Sequence, residues 1–166
     1  MAKNTITISL GSKSISKAIK EVKAYKKWVE SKANELTRRL AEIGASEAKV
    51  RFGGAQYDGV NDSVVKVEPI TNGYQVVATG GAVFFIEFGA GVYYNGSEPY
   101  PEPRPAGVSK IGEYGKGYGK RKAWGFYDES GELVITHGNP AAMPMYHASR
   151  TMQQEVERIA REVFAH

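Results

Sequence analysis

The chain has 166 residues and a mass of 18.1 kDa, which is about one domain of ordinary size and enough to bury a core without covalent staples. Its composition (42% hydrophobic, 24% charged) is that of a soluble globular protein; no run of about 18 apolar residues offers a membrane span, and nothing near Met1 reads as a secretory signal. Cysteine is absent, which excludes disulfides, thiolate catalysis and Cys-based zinc sites, and the net charge of 22 − 18 = +4 permits an anionic partner without demanding one.

In chain order, residues 4–10 alternate apolar and polar, so Ile6, Ile8 and Leu10 would share one face of a short strand. Gly11-Ser12 breaks it, and Ser14 can cap a helix. Apolar residues then recur at Ile15, Ile19, Val22, Tyr25, Val29, Ala33, Leu36, Leu40 and Ile43, the stripe of one long helix over 14–43. Gly44 is its expected stop. Such a helix is roughly 43 Å long, more than a domain of this size needs, and a helix that outruns its own core suits packing against a neighbouring subunit. Its eight Lys and Arg residues face four Glu, the pattern of a solvated face.

Residues 63–68 and 74–79 read as strands joined at Thr71-Asn72-Gly73, a β-hairpin over 63–79. The apolar run 82–89 fits a buried strand or a short helix equally well. Thirteen of the 19 glycines lie from Gly80 to Gly138, and six of the ten tyrosines between Tyr93 and Tyr127. Four of the seven prolines fall within Pro99–Pro105. The stretch 90–125 therefore reads as an extended insertion without periodic structure. Phe126-Tyr127 and Leu133–Thr136 flank Asp128–Glu132 as a second hairpin, and 144–164 forms a C-terminal helix with a stripe of Met145, Ala148, Met152, Val156, Ile159 and Val163. The whole reads as one α+β domain over 1–166, its two helices packed on an antiparallel sheet with a long Gly/Tyr/Pro-rich loop inserted.

Catalytic chemistry is hard to find. His137 and His147 are ten residues apart across a Pro-containing turn and form no helical metal pair; His166 ends the chain. No Gly-x-Ser-x-Gly elbow is present, and the glycines of 112–120 fit neither a phosphate loop nor a dinucleotide fingerprint. Glu87 is the one acid set in an apolar run. It reads as a structural carboxylate, ion-paired with a basic residue or at an interface, in preference to a functional acid. Catalytic residues, metal and cofactor are all expected to be none. The strongest local signal is Lys110 to Tyr127, where Lys110, Lys116, Lys120, Arg121 and Lys122 interleave with Tyr114, Tyr118, Trp124 and Phe126. Three readings stand open: a protein-docking loop, a contact with nucleic-acid backbone, and a merely solvated loop.

The segment Phe84-Phe85-Ile86-Glu87-Phe88-Gly89-Ala90 resembles the aromatic-x-x-Val/Ile-Glu-Phe/Tyr-Gly-Thr signature of the neck and tail-completion proteins of long-tailed bacteriophages. Pro140 to Ala148 resembles the Pro-rich lead-in to the last helix of that family, with Pro144 and Ala148 at the matching positions. The resemblance implies a non-enzymatic virion protein, made in the bacterial cytoplasm, at the head–tail junction. It implies a homo-oligomeric ring, sixfold or twelvefold, between the connector or head-completion ring and the tail-tube or tail-terminator proteins, with no membrane partner. Phe85, Ile86, Glu87, Phe88 and Gly89 would be its motif residues. Lys110, Lys116, Tyr118, Lys120, Arg121, Lys122 and Trp124 would then face the DNA channel, in transient non-specific contact with the genome, or dock on the adjacent ring. The alternative is a small non-specific nucleic-acid-binding protein that uses the basic aromatic loop 110–127.

Overall fold

The computed structural model describes residues 11–57, 59–89, 124–128, 130–136 and 138–165. The strand expected over 4–10 and the insertion from residue 90 to 123 lie outside these residues. The fold is α+β: a long N-terminal helix, a C-terminal helix and small antiparallel sheets.

Helix α1 spans Ser12–Gly53, 42 residues or about 63 Å. It starts at Gly11, whose carbonyl accepts the N–H groups of Ser14 and Ile15, so Ser14 lies inside the first turn instead of preceding it. It does not stop at Gly44. An interior glycine costs a helix about 1 kcal/mol, and here a tertiary contact overrides that preference. A Cβ on Gly44 would lie 2.6 Å from Met152 Sδ, so the absent side chain is what lets the C-terminal helix lie close. The real end comes at Gly53, where Gly54 N–H donates to Val50 O and the Asn61 side-chain amide donates to Phe52 O at 2.8 Å.

Strands β1 (Val64–Ile70) and β2 (Gly73–Thr79) pair antiparallel, Ile70 opposite Gly73, so the turn is the two residues Thr71-Asn72. Helix α2 (Val83–Phe88) resolves the ambiguous apolar run as a helix of six residues. Strands β3 (Trp124–Tyr127) and β4 (Leu133–Thr136) form a separate hairpin, so the last two residues assigned to the insertion, Trp124 and Gly125, belong to a strand. Asp128 closes its turn. Its Oδ1 accepts from Ser130 N–H and Oγ–H and from Glu132 N–H at 2.6–2.9 Å. Helix α3 spans Pro144–Phe164.

α1 and α3 lie antiparallel, with Gly44 beside Met152, Arg39 bonded to Glu162 at 2.5 Å and Trp28 edge-on to Phe164. The buried face of α1 in this region is Ala41, Gly44, Ala45 and Ala48, not the larger Leu36, Leu40 and Ile43 of the expected stripe, which are only half-buried. Small residues win that face because they let the two backbones approach. Of the stripe expected for α3, Ala148, Ile159 and Val163 are buried while Val156 is exposed. One core cluster joins both long helices, α2 and the first hairpin: Ala45, Ala48 and Phe52 of α1, Val65 of β1, Val83 and Ile86 of α2, and Ala148 of α3. Burying one Ile or Phe in it contributes about 1.5–3 kcal/mol.

Candidate functional site

The apolar Glu-Phe-Gly segment is held at both ends by carboxylates acting on helix N-termini. Gly80, Gly81 and Ala82 lead into α2. The two oxygens of Asp62 accept Gly81 N–H at 2.7 Å and Ala82 N–H at 2.9 Å. These bonds, that from Ala82 first, hold the Asp62 carboxyl below the usual carboxylate range. Tyr57, whose ring stacks on Phe85, is pushed up by burial and then by the charge of Asp62.

At the other end Glu87, only 4% exposed, reaches the start of α3. Its Oε2 accepts Met145 N–H at 2.8 Å and its Oε1 accepts Tyr146 N–H at 3.0 Å. Helix α3 needs this. Its N-cap, Met143, provides no side-chain hydrogen bond, and the first helical residue, Pro144, has no N–H. The next two N–H groups are satisfied by a side chain 58 and 59 positions earlier in the chain, at the positive end of the helix dipole. These two contacts make Glu87 a cap of α3.

Two further bonds tie the same elements. Asn139 Nδ2–H donates to Phe85 O at 2.6 Å, and Ala142 N–H donates to Ile86 O at 2.9 Å. The last carbonyls of α2 are thus used by the lead-in to α3 while Glu87 caps α3 itself. Gly89 leaves α2 at φ 76°, a backbone region that favours glycine.

The motif residues therefore come together. Ile86, Glu87, Phe88 and Gly89 are buried, Phe85 is half-buried, and Pro144 and Ala148 are buried at the start of α3. Trp124 opens β3, away from them in the sequence and on a strand, whereas they lie on or beside α2 and α3. Lys110, Lys116, Tyr118, Lys120, Arg121 and Lys122 lie outside the described residues, as do His137 and His166. His147 is half-buried on α3 with its ring edge-on to Tyr146. Sequence reasoning missed Asp62, Asn139 and Met143. Asp62 sits in a polar turn and Asn139 between a glycine and a proline, positions where such residues ordinarily serve their own loops. Nothing local announces that they serve an element 19 and 54 residues away.

Chemically this is a clasp. Both Glu87 oxygens are engaged by backbone N–H groups, and among the described residues no group of three His, Asp or Glu converges as a metal site. Among the same residues no helix is long and apolar enough to cross a membrane. No family model, curated protein or solved structure matches the chain.

Proposed function

We propose that the chain is a structural protein of the neck or tail-completion region of a long-tailed phage, which assembles as a ring around the DNA channel. One observation carries the reading. The two halves of the sequence signature, Glu87-Phe88-Gly89 and the Pro144 lead-in, are the two halves of one clasp, bonded through Glu87 to Met145 and Tyr146. A signature divided across the chain has a physical reason to occur as a unit when its parts hold each other. The clasp fixes a helix start and positions no reacting group, which suits a scaffold role. Helix α1 also extends about 24 Å past the point where Phe164 of α3 meets Trp28, a length suited to a neighbour.

Light scattering after size exclusion, across a concentration series, tests the proposal. A mass near six or twelve times 18.1 kDa supports a ring. A monomer at every concentration, with no association to connector or tail components, overturns it.

A further inference from the structure

The hairpin β3–β4 has an apolar face with no described use. The register sets Gly125 opposite Ile135 and Tyr127 opposite Leu133, so these four positions share one side of the ribbon. Tyr127 is 73% exposed, Leu133 56% and Ile135 59%. Leu133 and Ile135 lean over Gly125, where an added Cβ would meet their Cδ1 atoms at 3.0 and 3.1 Å. A two-stranded ribbon alone is marginal in water and gains from a surface to lie on. Residues 124–136 carry Asp128, Glu129 and Glu132 and no lysine or arginine, a net −3.

The N-terminal part of α1 is the complement. Ile15, Ile19, Val22 and Tyr25 recur at helical spacing and are each about half exposed, beside a buried Ala18. Residues 12–27 carry six lysines (13, 17, 20, 23, 26, 27) and one acid, Glu21, a net +5. Lys17 and Lys26 have helical partners in Glu21 and Glu30 at 3.9 and 3.7 Å. Ile15 to Tyr25 spans about 15 Å, and a four-residue strand about 13 Å.

We propose that the hairpin of one copy seats on this part of α1 of a second copy. The proposal rests on the ring reading and names the surfaces that would build it. Charge selects the pairing: helix on helix sets +5 against +5, hairpin on hairpin −3 against −3, and only the crossed contact joins opposite signs. Because each copy carries one hairpin and one helix, the contact is heterologous, the kind that closes into a ring when the rotation permits.

The test uses full-length protein with two variants: Lys20→Glu/Lys23→Glu on the helix and Leu133→Ser/Ile135→Ser on the hairpin. Circular dichroism and thermal melts establish that each is folded. Each alone should self-associate at least tenfold more weakly than the wild type. Mixed one to one, they retain a single good contact, hairpin of the first on helix of the second, and should give a species of twice 18.1 kDa and nothing larger. If a variant proves unfolded, Glu132→Lys replaces the hairpin variant. It should weaken assembly, and combination with Lys20→Glu should restore it. Wild-type assembly that both folded variants leave unchanged overturns the hairpin-on-helix contact and leaves the ring reading standing. A wild type that associates neither with itself nor with connector or tail components overturns both.

Discussion

Glu87 shows how one side chain can decide a helix start that its own neighbours cannot. Met143 holds φ 50° and supplies no cap, so the first free N–H groups of α3 depend on a carboxylate from α2. Glu87→Gln keeps the size but removes the charge and turns an N–H toward another N–H. Hydrogen bonds to a charged group contribute about 1.5–3 kcal/mol, so the variant should lose about 2 kcal/mol in urea unfolding, and Glu87→Ala at least as much. Equal stability of wild type and Glu87→Gln would remove the capping role. Gly89→Ala should cost about 1–3 kcal/mol, because φ 76° with ψ 164° is a backbone region that essentially only glycine adopts. Gly80→Ala should be harsher than a conformational penalty alone, since the new Cβ would fall 2.7 Å from Asp62 O, a backbone atom that cannot swing aside.

Between elements, the close passage of α1 and α3 depends on small residues. Gly44→Leu would drive a branched side chain into Met152 and push the helices apart. Overpacking of this kind costs about 1–3 kcal/mol, and a melt should report it, whereas Gly44→Ala sets a helix-propensity gain of about 1 kcal/mol against the strain on Met152. The connections between elements also carry an acid sensitivity. Asp62 is depressed by the Ala82 and Gly81 N–H groups, Asp128 by the Ser130 hydroxyl and then its turn amides, and Glu162 by Arg39 and then Arg158. A carboxylate whose folded pKa lies below its unfolded one stabilises the fold above the unfolded value, and that contribution is lost as pH falls through the folded value. Unfolding midpoints should therefore decline once pH drops through the ordinary carboxylate range and keep declining below it. Asp62→Asn should flatten the acid limb, and an unchanged limb would show that Asp62 carries no part of it.

At the scale of the whole molecule, the sequence made some features legible and hid others, for reasons that follow from where each signal is stored. The α3 boundaries and both hairpins could be read from the chain because helical stripes and turn residues act within a few positions. The motif segment could be picked out because a Glu inside Phe84–Phe88 is out of place on composition alone. Its duty could not, since the groups it serves lie at Met145 and Tyr146. Gly44 misled for the same reason: as local chemistry it ends a helix, and only the approach of Met152 turns it into a contact surface. The larger stripe of Leu36, Leu40 and Ile43 likewise outweighed Ala41, Ala45 and Ala48 in a reading by hydrophobicity, although backbone proximity favours the smaller set. By itself the sequence determined the α+β class, the order of the described elements other than α2 and the charge of each segment, because periodicity, turn chemistry and net charge are properties of neighbours along the chain. The tertiary structure alone decided how far α1 continues, which of its faces is buried and which carboxylate starts which helix. Each of those depends on the free energy of bringing together groups tens of residues apart, and no local pattern encodes that.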